Sequence, residues 1–160
     1  MAQRATQEFV FVVVGATGAV GREFLRLLEE RKFPIKELRL VASKRSMGKT
    51  LEFRHEDIPI RELTPEVFDG AHIAFFTAGG EISREFVPVA AKAGAVVLDD
   101  SSTFRMDPDV PLVVPEVNPH LLEAMPARRI FPVANCSVIQ LMVALGPIHR
   151  AARIRRIVLC

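Results

Sequence analysis

The stretch "EFVFVVVGATGAVGREFLRLLEERKF", residues 8–33, decides the fold. Residues 8–15 form a continuous run of β-branched and aromatic side chains ending on Gly15, the pattern of a strand buried on both faces of a parallel sheet. Residues 19–33 then place Val20, Phe24, Leu27 and Leu28 at helical spacing, and Pro34 follows as a stop. Between strand and helix stand Gly15, Gly18 and Gly21, a G-x-x-G-x-x-G pattern. Glycines there permit a tight turn and close backbone approach. The helix N-terminus offers free N–H groups and a positive dipole end to a pyrophosphate, and Thr17 adds a hydroxyl. The order strand, glycine turn, helix predicts a dinucleotide cradle.

Outward from this unit the same alternation continues. "ELRLVAS" (37–43) is a second strand, and "HIAFFTAGG" (72–80) is another buried run leading into a helix over 82–94 that closes on Gly94. "AVVLDDSS" (95–102), "VPLVVPEVN" (110–118), a short helix around 118–125 and "RRIFPVAN" (128–135) follow. "LEFRHEDIPIREL" (51–63) reads as short antiparallel or edge strands. Strands alternating with helices predict an α/β fold, a Rossmann-type, doubly wound, mainly parallel sheet. The expected division is a dinucleotide-binding domain over 1–135 and the beginning of a second, α+β domain over 136–160. A helix over 136–151 gives way to "RIRRIVLC" (153–160), which starts a new strand and stops, so the second domain is expected to be cut short and the 160 residues by themselves to be an incomplete, inactive fragment.

The 160 residues suffice for one domain with a real core. A net charge of +2 with scattered Lys and Arg argues against a nucleic-acid or anionic-membrane partner. No apolar run is long enough to span a bilayer, and "MAQRATQE" precedes no signal-type apolar segment. Cys136 and Cys160 make no disulfide framework, so a reducing, cytoplasmic setting is expected. The histidines His55, His72, His120 and His149 show no metal-ligand spacing, and no metal is expected.

Three places carry chemistry. The second strand ends "VASKRSMGK", where an NAD site would want an acidic residue for the ribose hydroxyls. Ser43, Lys44, Arg45, Ser46 and Lys49 stand there instead, and hydroxyls and cations suit a 2′-phosphate, so NADP is the expected cofactor. In "FPVANCSVIQLMVAL" (131–145), Cys136 opens a helix whose apolar residues include Ile139, Met142, Val143 and Leu145. A thiol on a first helical turn feels the dipole, which favours thiolate. The turn's N–H groups and the Asn135 amide could hold an oxyanion. Beside a nicotinamide, such a cysteine suggests thiohemiacetal and thioester chemistry. Finally, Arg105 lies in a loop beyond a strand's carboxyl end, where it would clamp a carboxylate or a phosphate.

Taken in order, "VVGATGAVGREFLRLLEER", "LVASKRSMGKTL", "FFTAGG", "VVLDDSSTFRMDPDVPLVVPEVN" and "NCSVIQLMVAL" resemble aspartate-β-semialdehyde dehydrogenase, from about residue 9 onward. The resemblance implies NADPH-dependent conversion of β-aspartyl phosphate to aspartate semialdehyde and phosphate, on the route to lysine, threonine and methionine. It implies Thr17, Gly18, Ala19 and Val20 as the pyrophosphate turn, Arg45 and Ser46 as the 2′-phosphate contact, and Ala78 and Gly79 along the cofactor. It further implies Arg105 on the substrate's phosphate and Cys136 as the acylated nucleophile. Family members continue for roughly as many residues again. That part carries a substrate-binding Gln, a carboxylate-gripping Arg, the His general base and most of a domain that forms a homodimer or homotetramer. This chain departs from the family's usual Asn-Pro-Asn-Cys-Ser in carrying Val133 and Ala134 where the proline step stands. Two other readings stay open. One is a non-catalytic NADP-binding paralogue; the other is N-acetyl-γ-glutamyl-phosphate reductase, against which "NCSVIQ" argues.

Overall fold

The computed structural model describes residues 7–159; residues 1–6, most of the segment searched for a leader, and Cys160, expected in a strand, lie outside them. Seven strands form one sheet: β1 (Phe9–Val14), β2 (Ile35–Val41), β3 (Thr50–Phe53), β4 (Glu56–Arg61), β5 (Ile73–Phe76), β6 (Val96–Asp99) and β7 (Ile130–Pro132). Their spatial order is β3-β4-β2-β1-β5-β6-β7, and every pairing is parallel except that of β3 with β4. Helices α1 (Ala19–Glu30) and α2 (Gly80–Lys92) cover opposite faces. Leu25 and Leu28 of α1 pack with Phe11, Val13 and Leu40, while Val87 and Ala90 of α2 pack with Val12, Val14 and Phe76. Alternate residues of β1 therefore feed two cores, which is why its run is apolar without a break. The expected doubly wound, mainly parallel α/β sheet is what forms.

Three local expectations need correction. The face that α1 buries is Gly21, Leu25 and Leu28; of the predicted stripe Leu28 is buried, Phe24 and Leu27 are half-buried, and Val20 is 49 % exposed. Phe24 sits at the margin, its ring stacked on Phe75 with centroids 4.0 Å apart. Residues 110–118 give a single bridge, Val113 to Val133, because Pro111 and Pro115 each lack the N–H that a ladder needs. Residues 153–159 are irregular rather than a strand. Their β-branched side chains meet no pairing partner among the described residues, and strand propensity expresses itself only against a neighbour.

Helix α3 (Cys136–Ala152) follows β7 directly. It is exposed along most of its length; of its residues only Gly146 is buried, where the Val117 side chain lies 3.6 Å from the position a Cβ would take. No helix among the described residues is long and apolar enough to cross a membrane.

Candidate active site

The chain runs outward from β1 through β2 to β4 on one side, then crosses to β5 on the other. The resulting switch point lies between the carboxyl ends of β1 and β5, where open α/β sheets bind ligands. Here the two strands approach more closely than side chains would allow. Gly15 has φ +93°, and a Cβ on it would lie 2.6 Å from the Thr77 carbonyl oxygen. The glycine turn itself is tied down. The N–H groups of Gly15 and Ala16 donate to the Val41 carbonyl of β2, and Gly18 N–H donates to the Gly15 carbonyl at 3.0 Å.

A cleft of about 430 Å³ opens over this turn. Gly15, Thr17, Gly18, Ser43 and Ala78 line it. Ala19 and Val20 begin α1 just beyond its wall, Gly79 caps α2, and Arg45 and Ser46 belong to the short 3-10 turn Lys44–Ser46 at its rim. Arg45 is exposed and makes no hydrogen bond among the described residues. The turn thus offers glycine backbone, free N–H groups and a nearby cation, a donor set that fits a dinucleotide's phosphates.

Sequence reasoning missed part of this cleft. Glu62 lines it and pairs with Lys44, one of the cations named from the sequence, at 3.2 Å, and Leu63, Ile82 and Phe86 give it an apolar wall. Glu62 is an acidic residue at the end of the neighbouring strand, beside the place where β2 itself has none. The signal was the register: β4 runs parallel to β2 with Arg61 opposite Val41, so Glu62 follows next to Ala42 and Ser43. Only a reading of 51–63 as a parallel edge would have found it.

Arg105 and Cys136 are brought into one region by backbone bonds. Arg105 Nε donates to the Val133 carbonyl at 2.9 Å, and its Nη2 donates to the Asp100 carbonyl at 2.9 Å. A guanidinium has five N–H donors, so three are left for a ligand. Val133 N–H in turn donates to the Asp99 carbonyl at 2.7 Å. The segment that lacks the family's proline step is therefore fixed by hydrogen bonds on both sides of Val133, and Ala134 is buried against it.

Asn135 caps α3. Its side-chain oxygen accepts from Ser137 N–H at 3.0 Å and Val138 N–H at 3.4 Å, while its carbonyl accepts from Ile139 N–H. That narrows the expected oxyanion donors. Most first-turn N–H groups are engaged by the cap, and the Cys136 N–H and the Asn135 NH₂ are the ones without a partner among the described residues. Cys136 is exposed at the first position of the helix.

Asp100 sits between the two halves of the site. Thr77 Oγ1 donates to its Oδ2 at 3.4 Å. Burial pushes its carboxyl above the ordinary carboxylate value, with the neighbouring Asp99 adding to the rise and Arg105 and Thr77 opposing it. A carboxyl whose folded-state pKa is raised costs stability when ionised. That cost is present above the folded pKa and disappears as pH falls below the unfolded value of about 3.9. Asp100→Asn is therefore expected to raise the melting temperature at pH 7, with the gain shrinking as pH is lowered toward 4. Melting curves across that range check the sign; a variant less stable at pH 7 would contradict it.

Comparison with known proteins agrees with this geometry. The model of the family described as semialdehyde dehydrogenase, NAD binding domain, matches residues 11–125. Aspartate-semialdehyde dehydrogenase of Aquifex aeolicus is 53 % identical over 147 residues, covering 91 % of this chain and 43 % of that protein. The crystal structure of aspartate semialdehyde dehydrogenase II from Vibrio cholerae complexed with ASA is 48 % identical with a TM-score of 0.90, over 94 % of this chain and 49 % of that one. That of the Candida albicans enzyme with NADP is 28 % identical with a TM-score of 0.78, over 91 % and 48 %. The chain spans a little under half the length of these relatives. With a glycine turn at the switch point of a doubly wound sheet and a family match over most of its length, the chain belongs to the semialdehyde dehydrogenase NAD-binding-domain family.

Proposed function

We propose that this chain supplies the NADP-binding domain and the nucleophile of an aspartate-semialdehyde dehydrogenase. The enzyme would reduce β-aspartyl phosphate to aspartate semialdehyde, releasing phosphate, in the biosynthesis of lysine, threonine and methionine. In this reading residues 1–135 bind the cofactor and residue 136 onward begins the catalytic and dimer-forming part of a cytoplasmic homodimer or homotetramer. The observation that carries it is the bond from Arg105 Nε to the Val133 carbonyl, three residues before Cys136. It ties an anion-binding group to the approach of a nucleophile, which is what an acyl phosphate requires.

The residues act as follows. Arg105 holds the phosphoryl group with its free N–H donors. The Cys136 sulfur attacks the acyl carbon, and the oxyanion that forms is held by Cys136 N–H and the Asn135 amide. Collapse breaks the C–O bond to phosphate and leaves a thioester on Cys136. NADPH, when bound, supplies the hydride to that acyl carbon. The thiohemiacetal oxyanion that results re-forms its C=O bond as the C–S bond breaks, giving the aldehyde and returning the Cys136 thiolate. Gly15, Thr17, Gly18, Ala19 and Val20 would hold the pyrophosphate, Ala78 and Gly79 would lie along the cofactor, and Ser43, Arg45 and Ser46 would meet the 2′-phosphate, with Lys44 offsetting Glu62.

The test is reduction of acyl phosphates by the native polypeptide. NADPH oxidation is expected with β-aspartyl phosphate and not with N-acetyl-γ-glutamyl phosphate. NADPH should be preferred to NADH by about tenfold or more, the scale of one charge-assisted contact. Binding of NADPH without any reduction would favour a non-catalytic module instead.

A further inference from the structure

Ser83 and Asp99 are the buried polar residues of the fold among those described, at 1 % and 0 % exposure, and they bond to each other. Asp99 ends β6, takes part in no ion pair among the described residues, and lies outside the cleft. A carboxylate buried without a cation is costly unless donors satisfy its oxygens. Here they do. Oδ1 accepts from Ser83 Oγ at 2.6 Å and from Ser101 N–H at 3.2 Å; Oδ2 accepts from Ser101 Oγ at 2.7 Å.

The bonds lead to different segments of the site, and Thr103 ties the Ser101 segment back to the start of α2 at Gly80. Ser83 lies in the first turn of α2, the helix that the cofactor loop Thr77–Gly79 enters. Ser101 Oγ accepts from Thr103 N–H at 3.1 Å, and Thr103 Oγ1 donates to the Gly80 carbonyl at 3.1 Å. That shapes the loop between Asp100 and Arg105. The Asp99 backbone carbonyl accepts from Val133 N–H, three residues before Cys136. One residue thus touches the cofactor helix, the arginine loop and the approach to the nucleophile. An apolar residue would fill the end of β6 without desolvating a charge. The bond to Val133 is backbone and any residue would keep it; the cost of the carboxylate is explained if the other two elements, α2 and the Arg105 loop, must be held at fixed spacing.

We propose that Asp99 is a positioning residue: it is the common anchor that sets the Arg105 loop and the first turn of α2 relative to each other and to Cys136. The inference rests on the function proposed above for its kinetic consequences, but not for its structural ones. It makes the two branches separable. Ser101→Ala cuts the branch to Arg105, so KM for β-aspartyl phosphate should rise about tenfold while the NADPH dissociation constant stays within about twofold. Ser83→Ala cuts the branch to α2 and should do the reverse. Ser101→Thr, which keeps the hydroxyl, should restore KM, and Asp99→Asn should move both constants.

The experiment uses the native polypeptide with NADPH titration, steady-state reduction and backbone amide exchange. Exchange at Thr103 and Arg105 should quicken in Ser101→Ala without quickening at Ser83, whose N–H stays bonded to the Gly79 carbonyl. Single-serine variants that shift both ligand constants together, or that leave both unchanged, overturn the anchor. So does exchange that rises throughout the sheet or nowhere. If the wild-type protein reduces no acyl phosphate while the exchange pattern follows the two branches, the proposed reaction fails and the anchor stands.

Discussion

Gly21→Ala is expected to destabilise the chain by about 3 kcal/mol or more and to abolish dinucleotide binding, although alanine is the better helix former. Gly21 is buried in the first turn of α1 with ordinary helical backbone, so its conformation makes no demand for glycine. Space does. A Cβ there would press on the Gly15 carbonyl oxygen, with Ala16 Cα at 2.9 Å and Ala16 C at 3.1 Å behind it. All three are backbone atoms, and the turn that holds them cannot retreat, because Gly15 and Ala16 are bonded to the Val41 carbonyl. Relief requires moving α1 away from β1, which opens the core around Leu25 and Leu28 and displaces the glycine turn. Gly18→Ala is the control. Its Cβ would lie 3.3 Å from the same oxygen and meet nothing else nearby, so a loss below about 1 kcal/mol is expected. Thermal melts of both variants with and without NADPH check the contrast; equal losses would show that the glycine turn is not tightly packed.

Cys136→Ala has the opposite signature. The side chain is exposed and the cap that stabilises α3 belongs to Asn135, so folding stability should change by less than about 0.5 kcal/mol. The reaction should slow by more than about 10³-fold, because no neighbouring hydroxyl replaces a thiol as carrier of the acyl group. Ser137 is next in sequence, yet its N–H is held by the Asn135 cap. A variant that keeps its turnover would remove the thioester from the account.

The contrast between these two positions reflects what is legible in the sequence. The strand, glycine turn and first helix announce themselves because β1 is apolar on both faces and the turn has no room for side chains. Cys136 is legible because a polar triplet interrupts two apolar runs. Glu62 was hidden for a different reason. Its place in the cleft comes from β4 pairing parallel with β2, and a half-exposed hairpin carries no periodicity that distinguishes that register from others. Arg105 was visible as a loop arginine, but its bond to Val133 depends on residues 28 apart and could be seen only in three dimensions. The same holds for Asp99, which in sequence is one of two adjacent acids. Burial separates them: Asp99 is enclosed and Asp100 stands at the margin of the site. The apolar residues at 153–159 show the converse, a strand-like pattern that forms no strand where the described residues give it no partner.

The central claim is that Cys136 carries the acyl group between phosphate and the nicotinamide. The most direct measurement runs the reaction backward, giving the native polypeptide aspartate semialdehyde and NADP⁺ with phosphate withheld. A burst of about one NADPH per Cys136 is expected, then a stall as the thioester accumulates, and resumed turnover when phosphate is added. Cys136→Ala should give no burst. Steady NADPH production without phosphate, or an unchanged burst in the variant, would contradict it.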